Sequence, residues 1–151
     1  MALDLHASFN PAVAAALPEY SRRSPFAGLL GIEVVAVEPG AVRCQIESAE
    51  KLTSGVGAVH GGALVALVDH AMSLAVYPVV EIGKWVATLE LKVSYVAPVR
   101  QGVEGPIVAE ATVVSLKKRI ATVRVDVTFH GELVATAMGT TYVRERLGAA
   151  S

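Results

Sequence analysis

A chain of 151 residues can bury a core of its own, and a single cysteine, Cys44, excludes an internal disulfide framework. Thirteen Lys and Arg against 14 Asp and Glu leave a net charge of −1, which offers no overall field to nucleic acid or to an anionic membrane. Hydrophobic residues make up 53% and charged residues only 18%, so part of the apolar surface is expected to be covered by another subunit.

The chain opens MALDLHASFNPAVAAALPEY, with an acid where a secretion signal carries basic residues. Cytoplasmic residence is therefore the default expectation. Residues 1–25 show little periodicity; residues 11–17 fit a short helix opening after Asn10, with Pro11 at the favoured first position. Within a single domain spanning 1–151, residues 1–27 read as an N-terminal strap or lid. Two short apolar segments, 31–37 and 41–47, flank Glu38-Pro39-Gly40, whose Pro and Gly supply turn geometry, and this predicts a hairpin. Its second arm places Val42, Cys44 and Ile46 on one side, so Cys44 reads as core rather than nucleophile.

After a Ser- and Gly-containing loop comes AVHGGALVALVDHAMSLAV, closing near Tyr77-Pro78, because a proline disfavours helix at the residue before it. Residues 61–80 are apolar enough to span a bilayer. Asp69 would then sit near mid-membrane at roughly +2.5 to +3.5 kcal/mol, with no flanking basic cluster. A helix buried by protein on nearly all sides is the better account.

The remainder reads as strands. Leu89, Leu91, Val93 and Tyr95 alternate with Thr88, Glu90, Lys92 and Ser94, the pattern of a strand with one buried face. Residues 107–116 form the next strand, and Ala121, Val123, Val125, Val127 and Phe129 alternate through another. His130-Gly131-Glu132 turns the chain into residues 133–143, where Gly139 marks a bulge or a close backbone neighbour. Two strands, a long helix and four strands make a segregated α+β layout, an antiparallel sheet whose dry face wraps the helix.

His60-Gly61-Gly62 followed by Leu67, Asp69 and Ala75, in the pattern HGGxxxxLxDxxxxxA, resembles the hotdog-fold acyl-CoA thioesterases of the phenylacetate-degradation type. TLELKVSYVAPV (residues 88–99) and VVSLKKRIATVRVDV (residues 113–127) are similar to that family's following strands, so the resemblance covers residues 28–143. It implies a hotdog fold, an acyl-CoA substrate, and a homodimer or dimer of dimers. It also implies that Asp69 is general base or nucleophile toward the thioester carbon. A superfold of this kind hosts several chemistries, so function still rests on the site.

Thioester hydrolysis needs an oxyanion donor and a nucleophile or activated water. The first amides of a helix lack intrahelical partners and carry the positive end of its dipole, which suits the Gly61 N–H to an oxyanion, with Gly62 beside it. From the residues alone, the two glycines fit a tight loop-to-helix entry equally well. A carboxylate buried in such a helix is costly unless partnered, open to a wet cleft, or at a subunit seam. Gly61 and Asp69, eight residues apart, stand ~12 Å apart on one helix, too far for both to reach one carbonyl. Two antiparallel copies about a twofold axis bring Gly61 of one beside Asp69 of the other.

Further positions follow. Ser73, four residues after Asp69, shares its helix face and either positions the attacking water or simply packs. Thr88 stands where similar enzymes carry a small hydroxyl residue near the carboxylate. Ser54 occupies a place where many relatives have Asn or Gln, and its shorter side chain with one donor departs from their contact. His60 reads as orienting the loop. Lys117, Lys118 and Arg119 form a turn that either meets coenzyme A phosphates or is a solvated hairpin tip. No pair of Cys or His stands at metal-ligand spacing, and no cofactor motif is present. The competing readings are an acyl-CoA binding or sensing module without turnover, and an acyl-thioester hydratase or dehydratase, which would need a His and acid pair at the substrate.

Overall fold

A computed structural model describes residues 4–145; the outermost residues of the expected 1–151 domain and of its 1–27 strap lie outside the described residues. The expected strap is helical. Helix α1 (Leu5–Ser8) is capped by Asp4, and α2 (Pro11–Arg23) by Asn10, whose side chain accepts from the amides of Ala12 and Val13. The sequence predicts a short helix over residues 11–17; the helix instead runs on through Pro18 to Arg23. Its Leu17 and Ser21 are buried, so tertiary packing outweighs the local proline cost of an amphipathic helix. Helix α3 (Pro25–Leu30), absent from the sequence reading, starts at a second proline and stops at Gly31, whose φ of 73° is the left-handed C-terminal stop that glycine tolerates.

Strands β1 (Glu33–Glu38) and β2 (Ala41–Glu47) form the expected hairpin, and Val42, Cys44 and Ile46 of β2 all face the core. Helix α4 (Gly61–Val76) follows, then a single 3-10 turn at Tyr77–Val79 that absorbs Pro78. The remaining strands are β3 (Lys84–Tyr95), β4 (Pro106–Lys117), β5 (Ile120–Phe129) and β6 (Glu132–Glu145). All pair antiparallel in one six-stranded sheet of order β1-β2-β4-β5-β6-β3, so β3 returns to the far edge beside β6. This is the hotdog fold, with the sheet curled around α4.

Leu67, Val68, Ala71, Met72, Leu74, Ala75 and Val76 of α4 are fully or almost fully buried against the inward side chains of β2, β4, β5 and β6. The stretch Gly61–Val79 is long and apolar enough to cross a bilayer, yet 61% of its most apolar window is buried inside the protein. Its hydrophobicity is that of a core helix. One stripe stays half-open: Val65, Ala66, Asp69 and Ser73 are neither buried nor fully exposed.

Strand β3 corrects the sequence reading. Thr88 pairs with Thr141 and Glu90 with Thr140, leaving Leu89 as a bulge. One extra residue inverts the alternation at that point. Leu89 is therefore 59% exposed rather than core, while Thr88 comes onto the helix-facing side together with Leu91 and Val93. Tyr95, also expected inside, is 56% exposed. It sits at the strand's end, beside the first turn of α4.

Candidate active site

Helix α4 begins at a junction built by His60, Gly61 and Gly62. The His60 amide donates to the Leu52 carbonyl at 2.7 Å, Val59 donates to the Val99 carbonyl, and Ala58 bridges to Arg100, so the loop is tied to the chain following β3. The His60 ring caps the helix: its Nδ1 accepts from the Gly62 amide at 2.8 Å. That bond makes Nδ1 the acceptor, which places the proton of a neutral ring on Nε2. It also distinguishes the two glycines. The Gly62 N–H is occupied, whereas the Gly61 N–H donates to no group among the described residues.

Two turns further along α4, Asp69 is half-buried, and its Oδ1 accepts a hydrogen bond from Thr88 Oγ1 at 2.5 Å. The β3 bulge is what turns Thr88 toward the helix. Opposite Thr88 in the β3–β6 ladder lies Thr141, fully buried. Ser73 lies one turn beyond Asp69 on the same half-open stripe. The adjacent His70 points to another side, where its Nε2 is 2.9 Å from the hydroxyl of Ser21, which donates in turn to the Ile32 carbonyl. Burial holds the His70 imidazole below its ordinary range, against the opposing pull of the Asp69 carboxylate. His70 thus anchors α2 onto α4 and turns away from the open stripe.

The other expected positions lie elsewhere. Ser54 spends its hydroxyl within its own loop, donating to the Ala58 carbonyl at 3.1 Å, while its amide donates to the same oxygen. Lys117 ends β4, and Lys118 and Arg119 make the turn into β5. Lys118, with φ 53°, and Arg119 border a cavity of about 680 Å³ shared with Glu81, Ile82, Lys84 and Glu145, at the C-terminal end of α4. Arg119 donates to the Tyr142 hydroxyl. Cys44 is fully enclosed and burial pushes its thiol up to about 12, so it supplies no thiolate near neutral pH. Among the described residues no three His, Cys, Asp or Glu side chains gather to hold a metal ion.

One chain thus joins Asp69 to Thr88, and His60 to Gly62, but does not join the two groups. Eight helical residues separate Gly61 from Asp69, ~12 Å along the axis of α4. The sequence reading also missed residues around the junction. Tyr95 lies against Gly61, and Phe26 and Leu30 of α3 line a recess with His60, Gly62, Ala63 and Ala66. For Phe26 and Leu30 no sequence signal pointed there, because α3 itself was unread. For Tyr95 the signal was its place at the very end of an alternating run.

Comparison with known proteins agrees with this architecture. The family model described as the thioesterase superfamily matches residues 56–143. Acyl-coenzyme A thioesterase 13 of Homo sapiens is 31% identical over 78% of this chain and 84% of its own. A thioesterase of Haemophilus influenzae superposes with a TM-score of 0.81 at 25% identity, over 91% of this chain and 94% of that one. A phenylacetic acid degradation-related protein of Ralstonia eutropha does so with a TM-score of 0.76 at 26% identity, over 86% and 98%. The chain belongs to the thioesterase superfamily, as a hotdog-fold thioester hydrolase.

Proposed function

We propose that the protein hydrolyses acyl-CoA to a free acid and coenzyme A at sites shared between two copies of the chain. Gly61 of one copy would hold the thioester oxygen and Asp69 of the partner subunit would activate water. The observation that carries this reading is the division of the machinery along α4: an unengaged helix-start amide at Gly61, and a half-buried carboxylate ~12 Å away on the same helix. Antiparallel packing of two α4 stripes about a twofold axis closes that gap twice, once per site. Val65, Ala66 and Ser73 on the half-open stripe are small enough for such an approach.

In the reaction so read, water oxygen attacks the thioester carbon while the Asp69 carboxylate takes a proton from it. The carbonyl oxygen becomes an oxyanion held by the Gly61 N–H. The C–S bond then breaks, the proton on Asp69 passes to the departing sulfur, and acid and thiol leave. Thr88 fixes one carboxylate oxygen and leaves the other for water; Ser73 offers that water a second contact. Two hydroxyls around the carboxylate favour the general-base role over the nucleophilic one. The same antiparallel pairing carries the partner subunit's basic turn toward the Gly61 end of the first copy, where Lys118 and Arg119 can meet the phosphates of coenzyme A.

Acyl-CoA substrates of varied chain length and aromaticity, assayed for released thiol with wild type and Asp69→Asn, test the reading. Thiol release by wild type alone supports it. Binding without release by either protein would make the chain an acyl-CoA binding module, and water addition to an enoyl substrate would make it a hydratase. The engagement of His70 with Ser21 counts against the hydratase, since no second histidine accompanies Asp69 on its stripe.

A further inference from the structure

The geometry points to Tyr95 as a further catalytic residue, its phenol donating a second hydrogen bond to the thioester oxygen held by the Gly61 N–H; this rests on the oxyanion role proposed for Gly61. A Cβ built on Gly61 would stand 2.8 Å from Tyr95 Oη, 2.9 Å from Cζ and 3.2 Å from Cε1. The phenol therefore occupies the space that a side chain at 61 would fill. The hydroxyl end of the ring, rather than its edge near the backbone, makes the closest approach.

The distances allow one acceptor to reach both donors. From that Cβ position to the Gly61 nitrogen is ~2.5 Å, fixed by bond lengths and the tetrahedral angle. The phenol oxygen is therefore at most about 5.3 Å from the amide nitrogen. Two hydrogen bonds of ~2.8 Å that meet at one oxygen at roughly 110–120° hold their donors ~4.6–4.9 Å apart, a separation inside the limit of about 5.3 Å. The two donors belong to the same chain, so their spacing is set before any second copy docks.

The hydroxyl is also free for that work. Tyr77 and Tyr142 use their hydroxyls inside the fold, accepting from the Val86 amide and the Arg119 guanidinium. Tyr95 Oη makes no hydrogen bond among the described residues, and the side chain is open to a ligand at 56% exposure. A role in packing alone would need the ring and not the oxygen. Strand β3 fixes the Tyr95 backbone through its pairing with Ala135 and the Val96 amide bond to the Val134 carbonyl, and from that anchor the ring reaches the helix start.

Tyr95→Phe keeps the ring over Gly61 and deletes only the donor. Wild type and Tyr95→Phe are compared in steady-state hydrolysis of the best acyl-CoA substrate, after thermal unfolding shows equal stability. Their affinities are also measured for two inert analogues, a ketone that replaces sulfur by CH2 and keeps the carbonyl, and a thioether that lacks it. The expected result is a kcat lower by on the order of 10²-fold with KM changed by less than a few-fold. The ketone should bind the variant more weakly and the thioether equally. An unchanged kcat and unchanged ketone affinity would overturn the role of Tyr95 while leaving Gly61 and Asp69 in place; equal weakening of both analogues would overturn it too, as a packing effect. A wild type that releases no thiol from any acyl-CoA would instead remove the reading on which the inference rests.

Discussion

Thr88 Oγ1 donates to Asp69 Oδ1 at 2.5 Å across the gap between β3 and α4, and it does so because the Leu89 bulge turns Thr88 inward. A hydrogen bond to a charged group contributes about 1.5 to 3 kcal/mol. If it orients the carboxylate for catalysis, Thr88→Val should lower kcat by roughly 10- to 100-fold with little change in KM. Thr88→Ser, which keeps the hydroxyl, should recover most of that loss. Steady-state kinetics on both variants check this.

The base role of Asp69 has an isotopic signature. In a single turnover in ¹⁸O water with enzyme in excess, a general base sends the label straight into the released acid. A nucleophilic Asp69 would form an anhydride, and its own carboxylate would then carry label after the cycle. The account expects unlabelled Asp69 by peptide mass spectrometry. It also expects kcat for Asp69→Asn to fall by about 10² to 10⁴.

His70 gives the fold a pH dependence. Its imidazole is held below the ordinary 6.5 by burial, so the unfolded chain binds a proton more readily than the folded one. Stability is then at its full value above 6.5 and declines as the pH falls below it, until the lowered folded-state value is passed. His70→Gln, which retains a partner for the Ser21 hydroxyl, should flatten the decline. Urea midpoints at pH 7 and pH 5 for both proteins measure it.

Gly139 faces the inside of the sheet directly below α4. A methyl group there would stand 2.7 Å from the Glu90 carbonyl oxygen and 3.0 Å from Leu91 Cβ, and would run into the Met72 methyl as well. Met72 can turn aside, but the backbone of β3 cannot. Gly139→Ala should therefore destabilise by about 1 to 3 kcal/mol, read as a lower Tm, and should disturb the strand that carries Thr88.

Much of this was legible in the sequence, and for definable reasons. Strict alternation in β2 and β5 marks strands with one dry face, and the unbroken apolar run with its single acid marks α4 and the half-open stripe along it. The junction residues His60 and Gly61 and the carboxylate of Asp69 stand out because a polar or conformationally special residue is out of keeping there. Thr88 could not be placed by alternation, since periodicity has no memory of a bulge; strict counting puts it opposite Leu91, and only the register with β6 brings both to one face. Helices α2 and α3 were understated because residues 1–25 carry little periodicity, whereas burial of Leu17, Ser21 and Ala27 keeps both segments helical. Tyr95 escaped because its neighbour at Gly61 is 34 positions away in sequence and close only in space.

The shared site is tested most directly by mixing two inactive proteins. Gly61→Pro deletes the N–H at the first helical position and its Cβ pushes aside the Tyr95 phenol of the same half-site, while His60, with ψ 133°, already has the extended backbone that a following proline requires. Asp69→Asn deletes the acid. Unfolded together and refolded at equal amounts, the two chains form mixed dimers in which one of the two sites has both an intact Gly61 and an intact Asp69. The account predicts recovery of about a quarter of wild-type activity, since half the dimers are mixed and each carries one working site of two. A mixture as inactive as its components, while each variant alone keeps its dimeric state and its Tm, would contradict it.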